Sequence, residues 1–224
     1  MATAQQHDDS HPAGDEARLW DERYAESRRV WSGEPNAVLA REAAKLTPGH
    51  ALDLGCGEGG DAVWLAGRGW RVTATDVSRV ALERAAAHAA EAGAADRIDW
   101  LRSNLSESFP EGSYDLVSAQ FLYSPGELPR EQVLRRATGA VAPGGHLLIE
   151  SHAGFPDWET GHGRPDIDFP TPAETLASLQ LAEDDWQVLI CAEHDRTQTR
   201  PDGTPGTRTD HTVLVRRRGG RHAD

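Results

Sequence analysis

The sequence predicts a doubly wound α/β fold of seven strands, mostly parallel, with the last strand antiparallel. Three observations carry this. Short apolar runs alternate with helical segments at a steady cadence up to Ser151, which implies right-handed βαβ crossovers. The first apolar run, 50–54, breaks into a glycine-rich turn, and the second, 70–75, runs into Asp76. Two β-like segments near the end of the chain, 186–197 and 209–217, are joined by Arg200-Pro201-Asp202-Gly203-Thr204-Pro205-Gly206. That joint is turn chemistry, so the two segments should form an antiparallel hairpin.

The elements follow in order. Residues 15–27 have helical composition, with Leu19, Trp20 and Tyr24 at one-face spacing; Trp20 is expected to pack as core. After the turn Trp31-Ser32-Gly33-Glu34, Pro35 suits the first position of a helix whose stripe is Val38, Leu39, Ala43 and Leu46. Pro48-Gly49 stops it. A short helix from Gly60 or Asp61 to Gly67 follows the glycine turn. Ser78 suits the N-cap of an alanine-rich helix that runs to Ala92, and Gly93 ends it. Strands are expected near 97–102 and over 114–119, both apolar enough for a covered sheet. Pro129 opens a helix through Val141, and Pro143-Gly144-Gly145 turns into a strand over 146–151. Thr171-Pro172-Ala173-Glu174 carries the signature of a capping box.

The glycine turn and Asp76 together outline a nucleotide pocket at the carboxyl edge of the sheet. Gly55 and Gly57 let the backbone take positive φ and approach a ligand closely. Asp76, twenty-one positions after Gly55, has two acceptor oxygens for the vicinal hydroxyls of a ribose, and Val77 offers adenine an apolar edge. Gly55, Gly57 and Gly60 also satisfy G-x-G-x-x-G, so a nicotinamide-dependent oxidoreductase is an alternative. Asp53 weighs against it, since a carboxylate aimed at a diphosphate would repel it, whereas it would attract an ammonium. A role limited to bonding the turn amides also remains open for Asp53.

Asp53-Leu54-Gly55-Cys56-Gly57-Glu58-Gly59 resembles the first motif of class I S-adenosylmethionine-dependent methyltransferases. Thr75-Asp76-Val77-Ser78 resembles their acidic second motif. The match holds over roughly residues 20–151, and more loosely to 217. The aromatic N-terminal segment, Trp20 to Tyr24 with Trp31-Ser32-Gly33, is similar to the small-molecule group of the tellurite-resistance and thiopurine type. The resemblance implies S-adenosyl-L-methionine as cofactor, a methyltransferase fold ending in a hairpin, and Trp31 folded over the sulfonium, a cation that aromatic faces attract. It places Cys56 in a small-residue slot where packing is expected. After the third strand, where relatives carry an acid for the adenine amino group, this chain has Asn104, whose amide oxygen accepts more weakly. A turn-forming role for Asn104 stays equally open. Leu105 would give its backbone N–H to the ring, and Gln120 would meet the methionine end or the acceptor.

Transfer from a sulfonium is an in-line displacement, so the protein must align the reactants in a dry pocket. A hydroxyl or amine acceptor benefits from a base, and the candidates are His152 and Tyr123, each just after a strand at the expected mouth. His152 also suits a structural hydrogen bond. His152, Asp157, His162, Asp166 and Asp168 accumulate in one segment, but their spacing matches no tight ligand motif, so no metal is expected. His194, Asp195 and Arg196 read as surface groups.

With 23 Lys plus Arg against 36 Asp plus Glu, the net charge of −13 disfavours nucleic acid and anionic membrane as partners. Two cysteines make no disulfide framework and fit a cytoplasmic setting. No stretch reaches membrane-spanning length, and the polar start has no signal-peptide core. Residues 1–14 read as disordered, 15–217 as a single domain with an N-terminal helical cover, and 218–224 as a solvated tail. The expected activity is methyl transfer to a small-molecule acceptor; a non-catalytic nucleoside-binding module is a further alternative. Acceptor atom and oligomeric state are left open.

Overall fold

The computed structural model describes residues 12–124, 126, 128–160, 167 and 169–219. Helix α1 (Pro12–Ala25) and helix α2 (Ala37–Ala43) precede strand β1 (His50–Leu54). Then come α3 (Gly60–Gly67), β2 (Arg71–Asp76), α4 (Arg79–Glu91), β3 (Ile98–Arg102) and β4 (Tyr114–Gln120). The chain continues through α5 (Arg130–Ala140), β5 (Val141–His152), α6 (Pro172–Ser178), β6 (Trp186–Thr199) and β7 (Pro205–Arg217). The seven strands form one sheet in the order β3-β2-β1-β4-β5-β7-β6. Strands β1 to β5 pair in parallel, and β7 runs antiparallel to both β5 and β6.

Two apolar layers cover the sheet, and the pleat of β1 sorts its residues between them. Leu52 and Leu54 join Val133, Leu134 and Ala137 of α5 on one face. Ala51 joins Leu39 of α2, Leu65 of α3 and Ala89 of α4 on the other. Asp53 shares the parity of Ala51, so its carboxylate lies under the α2–α3 layer and is 2% exposed.

Several helix ends follow the expected chemistry. Ser78 Oγ accepts from Ala81 N, and Thr171 and Glu174 form a complete capping box. Others differ. Helix α2 opens at Asn36 rather than Pro35, because the backbone N–H and side-chain amide of Asn36 both donate to Asp61 at 2.7 Å. Helix α5 stops at Ala140, and β5 runs through Pro143-Gly144-Gly145 instead of starting after it. A bulge between Tyr114 and Leu116 accommodates this, and Gly145 lies so close to β4 that a Cβ would meet Tyr114 O at 2.9 Å. Helix α1 begins at Pro12; residues 1–11 and 220–224, expected as disorder and tail, lie outside the described residues.

His211 of β7 is fully buried; its Nε2 lies 3.1 Å from Thr175 Oγ1, and its Nδ1 has no partner. Burial pushes its pKa down to about 4. A group held below its unfolded value adds stability above the unfolded pKa and loses it as pH falls toward the folded one. Chemical denaturation from pH 7 to pH 4 should therefore cost the native protein about 3 kcal/mol more than His211→Gln. Parallel pH profiles for the two proteins would contradict the assignment.

Candidate functional site

The cleft at the carboxyl ends of β1, β2 and β4 has a volume of about 510 Å³. Its floor is the glycine turn. Gly55 N and Cys56 N donate to Thr75 O of β2 at 2.8 and 2.9 Å, which folds the turn back over the sheet. Gly55 (φ 71°) and Gly57 (φ 53°) take the left-handed conformation that favours glycine. At Gly57 a Cβ would stand 2.9 Å from the Tyr24 hydroxyl and 3.2 Å from Trp31 Nε1. The turn therefore packs directly beneath the N-terminal cover.

Three buried carboxylates surround this turn. Asp76 Oδ2 accepts from Gly57 N and its Oδ1 from Ser78 N, each at 2.9 Å. Asp61, in the first turn of α3, holds Asn36 through both oxygens. Asp53 Oδ2 is buried without a partner. Burial raises the pKa of all three; at Asp53 the neighbouring charges of Asp61 and Asp76 raise it further. An acceptor so buried and unpartnered suits a cationic donor, and the ammonium of an amino-acid moiety is one. Gln120 Oε1 is likewise buried without a partner, while its Nε2 donates to Ser118 Oγ at 3.1 Å. The residues present therefore fit S-adenosylmethionine.

A second set of contacts stitches the cover to this floor. Glu58 Oε2 accepts from the N–H groups of Val30 and Trp31, both at 3.0 Å, and its Oε1 takes Arg84 at 2.9 Å. Burial pushes the Glu58 carboxyl up, but these donors hold it below its usual range. Trp31 Nε1 donates to the Tyr24 hydroxyl at 3.0 Å. Asp21 Oδ1 accepts from Ser78 Oγ and Val80 N, tying α1 to the start of α4. Trp20 is not core as expected: it is half-buried, lines the cleft, and donates Nε1 to Ser124 Oγ at 3.0 Å.

Of the expected site residues, Trp31, Gly55, Cys56, Gly57, Asp76, Val77, Asn104, Leu105, Gln120, Tyr123 and His152 all line the cleft. Asp53 lies behind the turn, without lining it. Cys56 is half-buried, and burial pushes its thiol well up, which suits packing. Asn104 Oδ1 accepts from Ser106 N at 3.1 Å and Ser106 Oγ at 2.5 Å, so the turn-forming role is realised. Leu105 packs into the α5-side core.

The other end of the cleft is built by β5 and the hairpin. His152 Nδ1 lies 2.7 Å from Asp210 Oδ1, and its ring stacks on Phe121 at 4.6 Å. Phe121 has φ 51°, a strained conformation for a non-glycine residue. Asp210 is fully buried; burial pushes it up, but His152 and Arg196 hold it below its usual range, so it is ionised. Burial lowers the His152 pKa, opposed by Asp210 and assisted by Arg208 and Arg196. The imidazole is then neutral at pH 7, with Nδ1–H donated to Asp210 and a lone pair on Nε2. Tyr123 is 57% exposed at the mouth. His194 and Arg196, expected on the surface, instead meet buried acids: His194 Nε2 lies 2.7 Å from Glu150 Oε1, and Arg196 donates to Asp210. Asp195 is exposed as expected. Among the described residues no cluster of His, Cys, Asp and Glu could hold a metal; His162, Asp166 and Asp168 lie outside them.

Residues 51–145 match the family model for a methyltransferase domain. A 2-heptyl-1-hydroxyquinolin-4(1H)-one methyltransferase of Mycobacteroides abscessus is 30% identical over 169 residues, covering 72% of this chain and 70% of that protein. A probable chloroplastic tocopherol O-methyltransferase of Oryza sativa is 31% identical over 146 residues, covering 64% of this chain. The match spans 40% of the rice protein's length. The N-methyltransferase NodS of Bradyrhizobium japonicum, solved with S-adenosyl-L-homocysteine, shares the fold with a TM-score of 0.63. It is 16% identical and is covered over 99% of its length by 91% of this chain. A nicotinamide-dependent oxidoreductase finds no support among these relatives, nor does a non-catalytic module. The chain belongs to the class I S-adenosylmethionine-dependent methyltransferases.

Proposed function

We propose that this protein methylates a hydroxyl of a small-molecule acceptor, with His152 as general base. The observation that carries this reading is the His152–Asp210 pair at the cleft end away from the glycine turn. When bound, S-adenosylmethionine supplies an electrophilic methyl on a sulfonium. Asp76 would hold the ribose hydroxyls, Val77 and Leu105 the adenine, and Asp53 with Gln120 the amino-acid end. Ser106 N and Oγ take both lone pairs of the Asn104 amide oxygen, so its part in adenine binding is minor. Trp31 and Tyr24 close over the donor and exclude water.

At the acceptor end, Asp210 fixes the imidazole tautomer and its orientation, and Nε2 would take the acceptor's proton as its oxygen gains the methyl and the methyl–sulfur bond breaks, the thioether being the leaving group. The proton then leaves to solvent. Tyr123 shapes the mouth, since no described group is bonded to its hydroxyl to activate it. A small acceptor is supported by the net charge of −13, which disfavours polyanions, and by the names of the relatives. Two unpaired cysteines favour a reducing, cytoplasmic setting, and no described helix is long and apolar enough to cross a membrane.

Two experiments check these roles. Asp76→Ala should weaken S-adenosylhomocysteine binding by about 1.5–3 kcal/mol, roughly ten- to hundredfold, as hydrogen bonds to a charged group do. Unchanged affinity by calorimetry would remove Asp76 from the ribose. For the base, kcat/KM should rise with pH as His152 loses its proton, and the lowered pKa puts that limb below 6.5. His152→Gln should cut kcat by about 10²–10⁴ and abolish the limb with donor affinity kept. A His152→Gln enzyme with the parent's rate and pH profile would leave a soft, already anionic nucleophile as the acceptor.

A further inference from the structure

Arg196 and Arg208 stand directly opposite each other across the β6–β7 ladder. Like charges at opposed positions cost stability, and a hairpin shaped for stability alone would place an acid against one of them. Both side chains line the cleft beside His152 and Phe121. They are not equally occupied. Arg196 Nε donates to Asp210 Oδ2 at 2.5 Å, and its guanidinium carbon lies 5.2 Å from the Phe121 ring centroid. In the amide orientation that satisfies both groups, Gln198 accepts from both terminal nitrogens of Arg196. Arg208 donates Nε to Gly154 O at 2.9 Å, and no described residue accepts from its terminal nitrogens.

The charges do not balance here. Of the two guanidinium groups only Arg196 has a bonded carboxylate, Asp210, while His152 is neutral; exposed Glu159 acts on Arg208 without forming an ion pair. Burial holds Arg208 below the usual guanidinium range, with Arg196 adding to the effect against the pull of Asp210 and Glu159. This end of the cleft is thus locally positive on a chain of net charge −13. Guanidinium presents parallel N–H donors that match the two oxygens of a carboxylate, and the Gly154 carbonyl already fixes the plane of Arg208. A neutral acceptor would leave the half-buried Arg208 guanidinium, facing Arg196, with no bonded counter-charge among the described residues.

We propose that the acceptor is a hydroxylated carboxylic acid whose carboxylate is seated on the terminal nitrogens of Arg208, with Arg196 as the second cation. The inference rests on the acceptor-end reading of this cleft given above. It makes Arg208 a specificity-determining residue and leaves proton transfer to His152.

Calorimetry on protein saturated with S-adenosylhomocysteine tests it with matched probes: 4-hydroxybenzoate against 4-hydroxybenzamide, and mandelate against mandelamide. Each acid should bind about tenfold or more tightly than its amide, the discrimination expected of a charge-assisted pair. Arg208→Gln should bring the ratio close to one, Arg208→Lys should keep part of it, and both should keep the parent's affinity for S-adenosylhomocysteine. Acids that bind no tighter than amides, or not at all, would overturn the proposal. So would a preference that survives Arg208→Gln. Failure of the base reading is separate: acid preference with turnover indifferent to His152 removes the base and keeps the carboxylate seat. A normal pH limb without acid preference does the reverse.

Discussion

Burial of three carboxylates around one glycine turn is the constraint on which the rest of this molecule depends. Asp53, Asp61 and Asp76 crowd the carboxyl edge of β1 and β2, and burial disfavours the ionised form of each. Two of the three are met by backbone or amide donors. Asp53 Oδ2 is not. Uncompensated buried charge is costly, so the arrangement makes sense around a cationic ligand that completes it. The same acids also hold the architecture: Asp76 anchors Gly57, and Asp61 anchors the start of α2 through Asn36. Ligand site and cover are thus built from one set of groups, with Glu58 and Asp21 extending the stitching to Trp31 and α1.

The cleft is electrically polarised along its length. Acids gather where the sulfonium-bearing amino-acid moiety would sit, and the guanidinium groups of Arg196 and Arg208 gather where the acceptor would enter. Asp210 sits at the acceptor end, satisfied from two sides by His152 and Arg196. A fully satisfied buried pair rigidifies its neighbours, and here it holds a neutral imidazole in one tautomer against the strained Phe121. Donor and acceptor binding as proposed would therefore make opposite electrostatic demands on the two ends.

Much of this was legible in the residues, and the exceptions have physical reasons. The strand cadence, the glycine turn, Asp76 and the closing hairpin are local signals, and each landed within a few residues of its place. The PGG segment misled because a turn sequence can lie within a strand when the partner strand bulges, as β4 does beside Gly145. Pro35 misled because Asn36 is recruited by Asp61, twenty-five residues away. Asn104 had two readings, and the proximity of Ser106 realised the turn former. Glu58, Asp210 and Arg208 were missed because they take partners from distant segments, and Asp210 meets His152 across fifty-eight residues. Arg196 reads as a surface group in the sequence, although Asp210 faces it across the hairpin. A signal did exist for the arginines. Once the hairpin register is set by its turn, 196 and 208 oppose each other, and a paired like charge stands out.

The central claim is that a cationic amino-acid end takes the place of the proton that burial favours on the unpartnered Asp53 carboxyl. Calorimetry of S-adenosylhomocysteine at pH 7, in buffers of different protonation enthalpy, measures that exchange directly. S-adenosylhomocysteine should release protons on binding, because its ammonium lowers the raised pKa of Asp53. 5′-Methylthioadenosine, which lacks that end, should release none, and Asp53→Asn should suppress the release by S-adenosylhomocysteine. A binding enthalpy independent of buffer, or equal release by both ligands, would contradict the account.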